Sequence, residues 1–555
     1  MHSPPPAWRN AARKGILRWN KAFEAIGFKN AIRVEPFPKD NPEFDPDNLK
    51  YSCVRYVPAA VSNAKGPSWV DPTTGEIINA SVLVYNDVAR LINNWRFCQT
   101  SQIDERVRAV RMPDDVMEES LAYVLAHEVG HCLGFMHNMA ASAAYPVDSL
   151  RSAHFTAHYG TTPSIMDYAR FNYVAQPNDT DVRLTPPDLG VYDYHLVQYA
   201  YKPIPEARSM EDERPVLEKW LDDRSGDPRY RYGRQQVSLR CDPTAIEEDL
   251  GDDAIRASNY GIANLKYILA HLDSWIPDTE DPDYQHREEL YNALLKQYGR
   301  YVQAVMINIG GIRLYDERDR PRAETVDADT QRNAARWVLD RLYDSKWLDR
   351  TVISDHQSLH VDNSETFISG TFSDLLDKVK AVVLSSHITH GKAYTPEEFV
   401  SDIYESIWRP TQLGKPLTPT MRNLQGQFVN ACISAFVQKS SSSASSKSLT
   451  AVESYRPSIH QLTLFDYTPL PEKLLIQAVD TYGWETVEQR MFGKAGYNWQ
   501  KKVGIRAIDE TPILWYEMAQ QVERLLIQKT SAADVADRAH YNLLLYRLRK
   551  ALSDK

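Results

Sequence analysis

Trp8, Ala12, Ile16, Trp19, Phe23 and Ile26 recur at steps of three and four, the spacing of one helical face, and Gly27 stands where such a helix can end. Residues 32–36 and 51–57 read as short strands. Trp69-Val70 and Ile77-Ile78 flank the turn sequence at residues 71–75, a pattern suited to a hairpin. The strongest strand pattern is Ser81, Val82, Leu83, Val84 and Tyr85, ended by Asn86-Asp87, and Asp87 can cap a short helix running through Trp95. A longer helix is expected from about Asp115, with Asp115 and Glu118 as a capping box. Along it Val116, Ser120, Val124, His127 and His131 follow one stripe.

Beyond residue 205 the pattern changes. Residues 206–252 are polar and charge-dense, the composition of a surface connection or insert. Helical periodicity then dominates: Ile255, Ile262, Leu265, Leu269 and Leu272 form one stripe. Leu290, Leu294, Tyr298, Tyr301, Val305 and Ile309 form another, before Gly310-Gly311. Thr395-Pro396-Glu397-Glu398 reads as a helix start, with Thr395 as N-cap and Glu398 reaching back. A serine-rich linker at 439–449 cannot bury a core, and residues 450–555 return to a helical pattern. The chain therefore divides into an α/β unit at 1–205, a connection at 206–252, a helical domain at 253–438, the linker, and a C-terminal helical region.

Composition narrows what such a chain can do. At 555 residues it exceeds one ordinary core. A net charge of −10 leaves no basic excess to neutralise phosphates, so nucleic acid is not an expected partner. No apolar run approaches 18 residues, so no transmembrane helix is expected. Five widely spaced cysteines without a CxxC pair indicate neither a disulfide scaffold nor a thiolate metal knuckle.

The histidines carry the chemistry. Five of the fifteen fall between residues 127 and 158, and three of these lie in His127-Glu128-Val129-Gly130-His131-Cys132-Leu133-Gly134-Phe135-Met136-His137. On a helix, positions four apart share a face, so His127 and His131 can reach one metal ion. Gly134 tolerates left-handed backbone, which lets the chain turn and return His137 as a third ligand. Three neutral imidazoles suit a single Zn2+ with an open fourth position. Glu128 cannot share the direction of His127 and fits beside the metal-activated water as general base. The spacing would arise by chance in such a chain with a probability on the order of 10⁻⁴ or less.

The full HExxHxxGxxH string resembles the metzincin clan of zinc endopeptidases, which carry a methionine-containing turn beneath the metal. Ser164-Ile165-Met166-Asp167-Tyr168 is similar to the form of that turn with a tyrosine two residues after the methionine. The resemblance implies a supporting role for Met166 and an oxyanion-stabilising role for Tyr168. WNKAFEAIGF, GPSWVDPTTGEI, HEVGHCLGFMHN, SIMDYARFNYVAQP and EEDLGDDAIRASNYGI together resemble the large bacterial Met-zincin-type metalloproteases, over about residues 7–310. The implied fold is α+β: a twisted mixed sheet with a zinc-binding helix and Met-turn, followed by a mainly helical region. The implied substrate is a protein or peptide lying antiparallel on an edge strand, for which Ser81, Val82, Leu83, Val84 and Tyr85 are the expected residues. Members usually have an export signal and a further N-terminal region. The resemblance thus implies an extracytoplasmic location, while Met1 to Pro6 shows no signal peptide and reads as the start of a fragment.

Weaker signals are set aside. Asn178, Asp179 and Asp181 form a small acidic cluster without EF-hand spacing, so calcium is not expected. His154 and His158 read as surface or pocket-rim histidines, and His356 with His360 and His387 with His390 as structural ones. The run Glu247-Glu248-Asp249 reads as solvated and Asp252-Asp253 as a helix cap, with a contact to the catalytic domain left open as the alternative. Two other functions stay open: a binding or adhesion module that retains zinc with little turnover, and a zinc hydrolase of a non-peptide bond. The oligomeric state is not legible.

Overall fold

The computed structural model describes residues 6–38, 40–185, 188–236, 240–349, 363–436, 511–531 and 534–553. His356, His360, the serine-rich linker and residues 450–510 lie outside the described residues. No described helix is long and apolar enough to cross a membrane.

The first apolar stripe forms two helices rather than one, α1 (Pro6–Arg18) and α2 (Asn20–Ala25). The break falls at Trp19, whose carbonyl accepts the N–H groups of both Ala22 and Phe23. Its buried indole donates to the Ala126 carbonyl at 2.8 Å. Tertiary anchoring of one large side chain thus overrides a continuous helical period. Gly27, at φ +99°, turns the chain away. Residues 32–36 hold no strand.

Five short strands follow: β1 (Val54–Val57), β2 (Ala64–Lys65), β3 (Ser68–Val70), β4 (Ile77–Ala80) and β5 (Val82–Tyr85). The hairpin is β3–β4. The mixed sheet has the order β1-β5-β2, with β1 parallel and β2 antiparallel to β5. This overturns the expectation that Ser81, Val82, Leu83, Val84 and Tyr85 form an edge. Val82, Leu83, Val84 and Tyr85 pair with β1 on one side, and Leu83 and Val84 also pair with β2 on the other. The Ser81 N–H is spent on the Pro67 carbonyl. The alternation and β-propensity that make this segment conspicuous are those of a central strand; β1 and the two-residue β2 are the edges, and β2 is the one that lies against α4.

Helix α3 (Val88–Thr100) packs against α4 (Asp114–Cys132), the centre of the front unit. α4 begins after Pro113 with no side-chain cap, so the expected Asp115–Glu118 capping box is absent. Glu118 instead pairs with Lys14 of α1. From Leu121 to Gly130 every residue of α4 is buried, so the helix is not amphipathic. It is enclosed by α1, by the sheet, by α3 and by the chain after residue 135, as expected of a helix apolar on all sides. Gly15 lets α1 approach closely: a Cβ there would stand 2.7 Å from the Ala122 carbonyl oxygen.

Shorter helices α5 (Ala153–Tyr159), α6 (Val191–Tyr201) and α7 (Met210–Asp222) follow. α7 buries no residue. The chain after it does not stay on the surface. Met139 N–H donates to the Gly233 carbonyl and Gly233 N–H to Asn138 Oδ1, each at 2.8 Å. Glu248 and Asp249, read from sequence as solvated, are 5% and 7% exposed. Helices α8 (Ala254–Trp275) and α9 (Gln285–Met306) open the helical region. Asp253 caps α8, and Asn264 of α8 donates to the carbonyls of Tyr173 and Ala175 at 2.8 and 2.9 Å. After the hairpin β6 (Ile312–Leu314) and β7 (Ala323–Thr325) come α10 (Ala328–Tyr343), α11 (Asn363–Asp377), α12 (Val379–Ile388), α13 (Pro396–Gln412), α14 (Pro419–Phe436), α15 (Thr511–Lys529) and α16 (Val535–Ser553). α13 starts with the Thr395–Glu398 capping box.

Two large buried clusters result. One surrounds α4 and the sheet. The other fills the helical region but also contains Phe97, Tyr145, Leu150 and Tyr173 of the front unit, so the helical region packs directly against that unit.

Candidate metal centre

α4 carries His127 and His131 on successive turns and ends at Cys132. Phe135 N–H then bonds back to the Gly130 carbonyl at 3.0 Å and Gly134 N–H to the His131 carbonyl at 2.9 Å, a Schellman end with Gly134 at φ +84°. This reversal returns His137 to the helix. The three Nε2 atoms converge: 3.1 Å between His127 and His131, 3.0 Å between His131 and His137, and 3.2 Å between His137 and His127. Among the described residues no other cluster of three histidine, cysteine or carboxylate groups comes this close.

The other ring nitrogens fix the tautomers. His127 Nδ1 lies 2.7 Å from the Ile165 carbonyl and His131 Nδ1 2.8 Å from the Phe135 carbonyl. Nδ1 must donate there, which leaves the Nε2 lone pair for a cation. His137 bonds to the side chain of Gln235, which in turn donates to Glu247 at 3.0 Å. Burial holds all three imidazoles neutral, with His131 pushed down to about 4 and mutual repulsion adding to the effect at His127 and His137. Three convergent neutral nitrogens are a donor set fit for a divalent metal.

Glu128 is 4% exposed. Burial raises its carboxyl to about 8, against the Gly66 N–H that bonds it and the nearby Lys65 charge. Gly66 is where the free edge meets the helix. A side chain there would overlap the Glu128 backbone, so only glycine allows β2 to lie this close.

The turn at Ser164–Tyr168 closes the site from below. Met166 is fully buried, its carbonyl takes the Asn138 N–H at 3.0 Å, and Ile165 holds His127. Asp193 of α6 anchors this turn through Ser164 Oγ, Ile165 N–H and Gly190 N–H at 2.8, 2.9 and 2.7 Å. The Tyr168 ring packs 4.4 Å from that of His137 and 5.2 Å from that of His127. The turn carrying buried Met166 lies under His127 and His131 of α4 and the returning His137, and the Met-zincin family model matches residues 109–414. The chain belongs to the Met-zincin family. No curated protein and no solved structure matches it.

In this Met-zincin the structure draws together His127, His131, His137, Glu128, Met166 and Tyr168. It leaves Ser81, Val82, Leu83, Val84 and Tyr85 one strand behind the edge that touches Glu128. Asp179, of the small acidic cluster, is engaged by the Arg151 guanidinium, both contacts at 2.8 Å. Sequence reasoning missed Gly66, Gln235 and Asp193. β2 has two residues, too few to show a period, and Gln235 and Asp193 reach the site only through folding.

Proposed function

We propose that this Met-zincin is a zinc-dependent endopeptidase hydrolysing peptide bonds of proteins or peptides. One observation carries the reading: three Nε2 atoms within 3.0–3.2 Å of one another, two of them on a helix that also carries the buried Glu128 and packs against the edge strand β2. Imidazole donors without a thiolate suit Zn2+. When bound, the ion supplies Lewis acidity, polarising a carbonyl and making water acidic enough to attack at neutral pH.

The chain's own groups do the rest. The unpaired side of β2 can take an extended peptide as an added strand, recognising backbone rather than side chains. Glu128, buried next in sequence to His127, is placed to take a proton from water and return it to the departing amine. Tyr168, packed against two of the histidines, is suited to steady negative charge on the carbonyl oxygen. A free strand edge favours peptides over a small molecule enclosed in a pit.

The test incubates the purified protein with a proteome-derived peptide library, with and without a chelator, alongside Glu128→Gln. Internal cleavages abolished by the chelator are expected, and a loss of at least about 10³-fold in the variant at unchanged zinc content. Equal cleavage by Glu128→Gln and wild type would sink the mechanism. Hydrolysis confined to non-peptide esters or amides would replace the substrate class.

A further inference from the structure

Arg170 and Glu248 both hold left-handed backbone, at φ +50° and +64°. Residues other than glycine seldom adopt it without a compensating contact. These two compensate each other. Arg170 Nε and Nη2 donate to Glu248 Oε1 at 3.2 and 3.1 Å, with side chains only 2% and 3% exposed. The second oxygen of Glu248 meets Arg300 Nη1 of α9 at 2.7 Å. Glu248 N–H donates to the Tyr168 carbonyl at 3.2 Å. The Arg170 guanidinium lies 3.6 Å over the Trp95 ring and 5.0 Å from the centre of the Tyr168 ring.

Buried charges of this kind are an expensive way to hold a chain in place. Apolar residues of similar volume often do it as well or better, whereas charged hydrogen bonds, here two Arg170 nitrogens on one Glu248 oxygen, fix direction. Here the direction fixed is that of the tyrosine ring packed edge-on against His137 and tilted against His127. We propose that Arg300, Glu248 and Arg170 form a positioning relay through which the helical region sets the Tyr168 ring beside the metal-binding histidines. None of the three touches substrate. Tyr168 is the acting group, and the helical region is a working part of the catalytic unit.

The kinetic arm of the test rests on the endopeptidase reading, and a second arm does not. Glu248→Gln keeps the shape of the pair and weakens its charge. Arg300→Gln breaks the outer end, where the side chain is 14% exposed, and leaves Arg170 paired. Each is expected to lower kcat by about tenfold with KM changed less than about twofold, as a misplaced transition-state group does. In a Tyr168→Phe background both should add almost nothing. Arg256→Gln on α8, which removes an exposed pair with Asp148, should leave kcat unchanged.

The second arm reads position directly by fluorine NMR of 3-fluorotyrosine placed at residue 168. Glu248→Gln and Arg300→Gln should shift and broaden that signal, while a fluorotyrosine at Tyr260 of α8 stays put. Equal kcat losses with and without the Tyr168 hydroxyl, or an unmoved fluorine signal at 168 in both variants, overturn the relay. A protein that cleaves no peptide yet shows the shift at 168 refutes the endopeptidase reading and upholds the relay.

Discussion

Gly130, between His127 and His131, lies against the Met166 sulfur so closely that a methyl group on it would overlap the sulfur and crowd the Trp19 ring. The glycine between the two metal-binding histidines is therefore a packing requirement of the turn beneath them. Gly130→Ala should destabilise the protein by about 1–3 kcal/mol through overpacking. It should also lower zinc affinity at least about tenfold, because Met166 and Ile165 move together and Ile165 orients His127. Competition with a chromophoric chelator measures the second effect. Wild-type affinity in the variant would show that the turn does not support the ligands.

Gly66→Ala probes the other side of the helix. Its methyl group would overlap the Glu128 backbone, so β2 must lift and the hydrogen bond from Gly66 to the carboxylate must lengthen. Zinc content should stay near wild type, since no histidine contact is involved, while kcat/KM for peptides falls by about tenfold or more. Loss of zinc together with activity would place the damage in the helix instead.

Asp193 separates charge from hydrogen bonding. It serves three donors around the turn, and burial raises its carboxyl to about 7. Asp193→Ala leaves three donors without a partner and should cost about 2–4 kcal/mol, with a fall in zinc affinity of about 10–100-fold. Asp193→Asn keeps an acceptor and should lose less than half as much. Urea unfolding of both variants decides it.

Acid should destabilise the metal-free protein. Burial lowers His131 from its ordinary 6.5 to about 4, and His127 and His137 shift the same way. Between these values the unfolded chain binds protons that the folded chain refuses, so stability rises with pH across the window. It is lost as pH falls from about 6.5 towards 4. At about 1.4 kcal/mol per pH unit, His131 alone accounts for up to about 3 kcal/mol. A urea midpoint that does not change between pH 7 and pH 4 would contradict this.

The amino-acid sequence by itself determined what is local. His127 and His131 share a face because helical geometry puts them there, and His137 returns because Gly134 permits a Schellman reversal within the next turn. The helix start at Thr395 and the β3–β4 hairpin are legible for the same reason: every contact that defines them lies within a few residues. Only the tertiary structure decided the rest. β5 is a central strand because β1 and β2 both find it, and the edge that lies against α4 is a segment too short to carry a pattern. Trp19 breaks a regular helical stripe because the Ala126 carbonyl, far along the chain, captures its indole. Glu248 and Asp249 look like solvated charge until Arg170 and Arg300, from distant points of the chain, bury one of them and Ser142 the other. Period and spacing report a residue's neighbours along the chain. The partners that bury a charge or leave an edge free arrive only when the chain closes on itself.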